Sequence, residues 1–299
     1  MSPPNSGRRV LVTGGAGFLG GRVAAALEAM PGVAVTRFDR VAAPGVVAGD
    51  VARLAPALPE GFAADAVIHA AAITTQASEA DPAAAWAINV EGTRAVIAWC
   101  AAQPRPPRLV LLSSIAVFAG GEAEPDEASP VAPASTYGTT KAVAELLLRD
   151  ATRRGEAAGV TLRLPISVLR TTRSGPPGAG FISDLVAHAR RGERFTAPLA
   201  PDHRLPVGSV RASVALACRA ALGPVPAQVL HAPSLALSGA EAVDALEAAG
   251  VPARRLVEFA PDPEVERLVA GWPQRLATRH PAFSEDVAER DFAAILATT

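Results

Sequence analysis

"TGGAGFLGG", residues 13–21, sits between a run that reads as a buried strand, "RRVLVTG" (8–14), and one that reads as a helix, "FLGGRVAAALEAM" (18–30). Gly14, Gly17 and Gly20 give the spacing G-x-x-G-x-x-G. Glycines let a chain turn tightly and let backbone N–H groups approach a pyrophosphate, while the start of the following helix adds partial positive charge. A glycine-rich string alone is weak, and an ordinary turn is its plain alternative. Strand, turn and helix in this order are the context the motif requires. Gly14, Gly17, Phe18, Leu19 and Gly20 are therefore the candidate cradle for a dinucleotide.

Working outward, the pattern repeats. "GVAVTRFD" (32–39), "GVVAGDV" (45–51), "DAVIHAAA" (65–72), "RLVLLSS" (108–114) and "GVTLRLPISVL" (159–169) read as further strands. Helical patterns fill 81–102, where Asp81 caps and Pro82 opens the first turn, and 136 to about 155. Alternating strands and helices predict an α/β fold, a Rossmann-type doubly wound parallel sheet. After residue 170 a Gly/Pro-rich loop, "RTTRSGPPGAG", gives way to helices and short strands. The expected division is a nucleotide-binding domain over 1–170 and a smaller, mostly helical substrate-binding portion over 171–299, with segments returning to the main sheet.

Asp39 ends the second strand, 19 residues after Gly20. A carboxylate there accepts from both ribose hydroxyls of an adenosine and repels a 2′-phosphate, which favours NAD over NADP. Arg40 beside it softens that preference. The plain alternative for Asp39 is a strand-end turn. Asp50 and Val51, after the third strand, are placed to touch the adenine edge.

"ASTYGTTKAVAELLL" (134–148) holds the only tyrosine of the chain, Tyr137, and the only lysine, Lys141. Spaced i, i+4, they share one helix face. A tyrosine hydroxyl titrates near ~10, so a base at neutral pH needs a shift of roughly 3 units, about 4 kcal/mol in favour of phenolate. A nearby ammonium supplies such a preference, as does the positive nicotinamide ring. Lysine, a compact charge on a flexible stem, fits where a planar guanidinium does not. An amphipathic surface pair is the alternative. Ser114, at the end of the fifth strand, faces the cleft of a doubly wound sheet, with Ser113 as its competitor because alternate strand residues face opposite ways. Asn89, a mediocre helix former inside the long helix, either makes an interior bond or kink, or holds a water that relays a proton from Lys141.

Together these residues resemble the extended short-chain dehydrogenase/reductase family. "TGGAGFLG", Asp39, Asp50-Val51, "HAAA" (69–72), "NVEGT" (89–93), "SSIAVF" (113–118) and "YGTTK" (137–141) carry the resemblance through the first half in order. It implies Ser114, Tyr137 and Lys141 as a catalytic triad, Ala70 and Ala71 beside the cofactor, and Pro165 and Ile166 near the nicotinamide amide. Phe118 departs from it, tyrosine being frequent there. "RLPISVLR", "PLAPDHRLPVGSVRASV" and above all "PDPEVERLVAGWP" (261–273) resemble the sugar-acid dehydrogenases of that family, which implies oxidation of a small sugar-acid hydroxyl by NAD. Those enzymes commonly show Arg-Pro-Gly where this chain has Arg170-Thr171-Thr172-Arg173.

A sugar acid needs a cation for its carboxylate, and arginine offers a two-point grip. Arg170, Arg173 and Arg204 are the candidates, and Thr74 and Thr75 are placed to meet hydroxyls; the alternatives are surface charges and a cap.

The composition bounds the rest. Net charge is −1, with no basic stripe, which argues against nucleic acid. No apolar run approaches the ~20 residues of a membrane span, and Arg8-Arg9 reads as solvated charge before a strand, not as a targeting signal. Cys100 and Cys218 lie far apart and the five histidines lack ligand spacing, so no metal and a reducing cytoplasm are expected. A homodimer through the helices at 82–103 and 136–155 is expected by fold analogy. The rival expectations are a nucleoside-diphosphate-sugar epimerase or dehydratase that keeps its NAD, and a non-catalytic NAD-binding regulatory protein.

Overall fold

Pro165 decides how the chain leaves its first sheet. Residues 159–169 read as one strand, yet β6 (Ala158–Leu164) ends just before the proline and β7 (Ile166–Val168) joins a different sheet. Proline has no N–H for a ladder, so a central strand is interrupted there. The computed structural model describes residues 7–118, 124–168 and 180–298.

The first sheet has seven strands in the order β10-β6-β5-β4-β1-β2-β3. They are β1 (Arg8–Thr13), β2 (Val33–Asp39), β3 (Val46–Ala48), β4 (Ala66–His69), β5 (Arg108–Ser114), β6 and β10 (Val229–His231). The sheet is parallel, with a Rossmann-like arrangement of flanking helices. Its order reverses direction between β1 and β4, whose carboxyl ends pair Thr13 with His69. That switch point is where ligands of doubly wound sheets bind.

Helix α1 (Phe18–Glu28) follows β1, and the short α2 (Leu54–Ala57) follows β3. Helix α3 (Thr75–Ala80) stops at Asp81, whose non-helical backbone and carboxylate, accepting from the Ala84 N–H, start a second helix at Pro82. This long helix is not uniform. Helix α4 (Pro82–Ala85) runs through a π-helical stretch, Trp86–Glu91, into α5 (Gly92–Ala101). Helix α6 (Thr136–Arg153) starts on Ser135, which accepts from the Gly138 N–H, and on Glu79, which accepts from the Thr136 N–H. Leu11, Val67, Leu109 and Leu111 of the strands pack with Val96 and Cys100 of α5 and with Ala144 and Leu148 of α6.

The chain forms two compact units that interleave instead of meeting at one boundary near residue 170. The first comprises residues 1–114, 135–163 and 214–230, the second 115–134, 164–213 and 231–299. The return of 214–230 to the first unit is anchored by Arg8, which donates to the Leu222 carbonyl, and by Arg108, which donates to that of Ala220.

In the second unit, β7, β9 (Arg204–Ser209) and β11 (Leu235–Ser238) form a three-stranded sheet, and β8 (Phe195–Ala197) pairs with β12 (Val257–Phe259). Its other helices are α7 (Phe181–Arg190), α9 (Gly239–Ala248), α10 (Pro263–Val269) and α11 (Phe292–Leu296), with α8 (Val210–Leu222) shared with the first unit. Phe181, Leu185, Leu205, Val207, Leu246 and Ile295 are core residues here. Glu127 ties three segments together by accepting from the His231 N–H, the Thr278 hydroxyl and the Arg279 N–H.

Candidate active site

The glycine turn is built by exclusion of side chains. Gly14 has φ +71°, and a Cβ on it would stand 2.7 Å from the Ala71 nitrogen and 2.8 Å from the Ala70 carbonyl carbon. Ala70 and Ala71 therefore form the floor of the turn. A Cβ on Gly20 would meet the Gly14 carbonyl oxygen at 2.1 Å. The Gly17 N–H donates to that same oxygen at 2.9 Å. Helix α1 begins on Gly17 with no side-chain cap and no acidic residue in its first turn. Phe18, Leu19 and Gly20 thus present main chain, and no carboxylate, to the space before the helix. These features fit a bound pyrophosphate.

Asp39 stands at the carboxyl end of β2 and braces the turn: one oxygen accepts from the Ala16 N–H and the other from the Val41 N–H, each at 3.1 Å. Each oxygen keeps a second lone pair for a ribose hydroxyl. Arg37, two residues earlier, is occupied by a two-point ion pair with Glu28. Asp50 caps the short turn after β3 through the Ala52 N–H, and Val51 is buried against Gly92. Both have structural duties, and Asp50 remains exposed.

Tyr137 lies in the first turn of α6, half-buried. Lys141, one turn later, is only 3% exposed. Burial pulls its ammonium down to about 8, and the Glu145 carboxylate opposes that pull. Ser113 and Ser114 part company as strand alternation requires. The Ser113 hydroxyl is buried and donates to Glu145 at 2.5 Å, whereas Ser114 is half-buried at the end of β5. With Ser113 committed to Glu145, Ser114 is the stronger candidate for a substrate oxygen.

His69 lies in electrostatic range of Lys141. A hydrogen-bonded chain runs through it. The Thr93 hydroxyl donates to the Asn89 carbonyl at 2.6 Å, so the His69 Nε2 must donate to Thr93 at 3.1 Å, and the Nδ1 then accepts from Thr13 at 2.7 Å. The ring is neutral, held down to about 3 by burial and then by the Lys141 charge. Because the ordinary value is 6.5, the unfolded chain carries a proton here that the folded one refuses between pH 6.5 and about 3. Stability contributed at neutral pH is lost as pH falls through that window, by up to about 1.4 kcal/mol per pH unit. His69→Asn is expected to flatten this slope, read as a smaller change in urea midpoint between pH 6.5 and 4.

Asn89 sits in the π-helical stretch, a feature found often at functional sites. Its side chain is held at both its oxygen and its nitrogen. Its amide oxygen accepts from the Ile73 N–H at 3.0 Å, and its nitrogen donates to the Ile73 carbonyl at 3.1 Å and to the Thr140 hydroxyl at 3.0 Å. Asn89 therefore clamps the loop after β4 to α6.

Thr74 is exposed at the start of α3 without a capping bond of its own, and Thr75 is half-buried. In the second unit, Pro165 is buried against Gly208, where a Cβ would meet its Cγ at 2.5 Å, and Ile166 is half-buried at the start of β7. Arg204 is exposed and paired: it donates to the Glu241 carboxylate and to the Ala236 carbonyl. That occupancy makes Arg204 the weakest of the three arginine candidates. Arg170 and Arg173 lie outside the described residues.

Two charged residues escaped the sequence reading. Glu145 continues the Tyr137–Lys141 face at i+8, and Arg163 is a charge inside the apolar strand "GVTLRLP". They form a buried ion pair at 2.7 Å. A charge in a strand buried on both faces was the available signal.

A glycine turn that leaves main chain open to a pyrophosphate, and a helix that carries a phenol and a buried ammonium, fit an enzyme that uses a dinucleotide. The chain belongs to the NAD dependent epimerase/dehydratase family, whose model matches residues 10–207, and NAD is its cofactor. Two curated relatives span nearly all of it. A D-erythronate dehydrogenase from Cupriavidus necator is 33% identical over 88% of this chain and 89% of its own length. One from Haemophilus influenzae is 28% identical over 90% and 91%. Among solved structures, a nucleoside-diphosphate-sugar epimerase from Agrobacterium tumefaciens superimposes with a TM-score of 0.84 at 26% identity, covering 99% of this chain and 95% of that one.

Proposed function

We propose that the protein is an NAD-dependent dehydrogenase that oxidises a hydroxyl of a small sugar acid, D-erythronate or a close aldonate, to the keto acid. The observation that carries this reading is the buried Lys141 ammonium one turn beyond the half-buried Tyr137, on the helix packed against β5. The two D-erythronate dehydrogenases support the substrate class. When bound, NAD supplies the acceptor for the hydride of the substrate carbon. Ser114 donates to the substrate oxygen and orients it. Tyr137, as phenolate, removes the hydroxyl proton. Lys141 lowers the cost of that phenolate, and a water held between Lys141 and Asn89 relays the proton to solvent. Asp39 selects NAD by holding the ribose hydroxyls. Thr74, Thr75, Arg170 and Arg173 remain the candidates for substrate hydroxyls and carboxylate.

A panel of four- to six-carbon aldonates and uronates, followed by NADH absorbance, tests this. The expected result is stoichiometric NADH from D-erythronate or a near relative. The epimerase reading, favoured by the Agrobacterium neighbour, expects instead turnover of a nucleoside-diphosphate sugar without net NADH.

We further propose a homodimer. Trp86, on the π-helical stretch, and Leu146, on α6, are 47% and 45% exposed and lie on the two long helices expected to pair with a second copy. Sedimentation is expected to give a dimer, and Leu146→Asp with Trp86→Asp a monomer that keeps its NAD site. No helix among the described residues is long and apolar enough to cross a membrane. The free, buried Cys100 and Cys218, their thiols pushed up to about 12 and about 11 by burial, suit a cytoplasmic setting.

A further inference from the structure

Helix α6 carries a second buried charge one turn beyond Lys141. Glu145 is 7% exposed, and its carboxylate is held from two sides. The Ser113 hydroxyl donates to Oε1 at 2.5 Å. Arg163 donates through Nε to both oxygens, at 3.1 and 3.2 Å, and through Nη2 to Oε2 at 2.7 Å. Arg163 is 4% exposed, so the pair is dry. A buried ion pair is a poor source of stability, because well-packed apolar residues in its place are often as good or better. Its presence beside the catalytic lysine points to a task other than folding.

Among the described residues, ionisable groups flank Lys141 from its own helix and from two strands. Glu145 and Tyr137 share its helix, His69 faces it from β4, and Arg163 lies behind Glu145 on β6. His69 is neutral and offers no countercharge. Glu145 is thus the anion next to Lys141, and without it Lys141 and Arg163 would be two buried cations. Only the lysine can relieve that by losing a proton.

We propose that Glu145, clamped by Arg163 and Ser113, is a positioning residue for the reaction, its fixed carboxylate holding Lys141 in the ammonium form that Tyr137 requires. The link to Tyr137 rests on the dehydrogenase reading; the effect on Lys141 does not. The directions agree with this. Burial pulls Lys141 down to about 8, and Glu145 pushes it back up. Removing the carboxylate leaves burial unopposed, and the neutral amine grows in at lower pH.

The chain offers a direct readout, because Lys141 is its only lysine. Lysine labelled with ¹³C at Cε gives one resonance, whose pH titration follows this ammonium in the full-length protein without substrate. Glu145→Gln is expected to lower the midpoint by about 1–2 units, the size of effect a neighbouring opposite charge has. Glu145→Asp, which keeps the carboxylate, is expected to restore it. Should Glu145→Gln fail to fold, the double variant E145Q/R163M removes both charges together, a change buried pairs tolerate better. It is expected to lower the midpoint too, since Glu145 is the charge felt by Lys141. In kinetics, the alkaline limb of kcat/KM moves down with the lysine midpoint, whereas a merely structural role lowers the rate at every pH and leaves the limb in place. A midpoint within about 0.3 unit of the parent in either folded variant overturns the proposal, given the shift expected of such a charge. A lysine that shifts as expected in a protein that oxidises no sugar acid upholds the electrostatic role and sinks the functional reading instead.

Discussion

Tyr137→Phe is expected to bind NAD as the parent does and to lose about 10²–10⁴-fold in turnover, the usual contribution of a positioned general base. The change removes one oxygen from a half-buried side chain and leaves the packing of α6 intact. No other tyrosine exists in the chain to take over. Lys141 is buried on the same face, and its ammonium is useful only if a phenolate forms beside it. Calorimetric titration with NAD, alongside steady-state NADH production, separates binding from chemistry. A variant with parental turnover would falsify the mechanism, whatever the substrate proves to be.

Gly20→Ala is expected to weaken NAD binding by about 100-fold or more, roughly 2.7 kcal/mol, with a drop in melting temperature. The reason is geometric. The new Cβ would stand 2.1 Å from the Gly14 carbonyl oxygen and 2.7 Å from its carbon, both backbone atoms. A flexible side chain could swing away, but this contact is relieved only by moving the turn. The turn also has Ala70 and Ala71 directly beneath Gly14, so it has no slack on that side. Displacing it re-aims the N–H groups that start α1, on which an anion depends. Gly32, by contrast, has a positive φ of 75° with open space around it, and Gly32→Ala is expected to leave NAD affinity unchanged. Equal affinities for the parent and Gly20→Ala, measured by the same titration, would mean that this turn does not hold the cofactor.

How much of the site was legible before the fold was known differs from residue to residue. The glycine spacing, Asp39 at a strand end and the i, i+4 pair of Tyr137 and Lys141 all depend on local geometry, and local geometry is what periodicity encodes. The choice between Ser113 and Ser114 was open from alternation alone. Glu145, 32 residues away in the chain, engages the Ser113 hydroxyl, and that favours Ser114 for the proposed role. Asn89 was recognisable as odd inside a helix. That its side chain grips Ile73 and Thr140 needed partners from two other segments. Arg204 reads as a substrate cation in the sequence, and only the fold shows Glu241, on a separate helix, paired with its guanidinium.

Alone, then, the sequence determined the class of fold, and it proposed the glycine turn for the dinucleotide and Tyr137 with Lys141 for the chemistry. Each is written in residues close together in the chain, where steric rules and helix spacing leave few options. The tertiary structure decided the interleaving of the two units, the split at Pro165 between two sheets, and the buried Glu145–Arg163–Ser113 cluster behind Lys141. Those depend on which distant groups the folded chain brings together in the absence of water. There a charge is tolerated only beside its partner, and no local pattern names that partner.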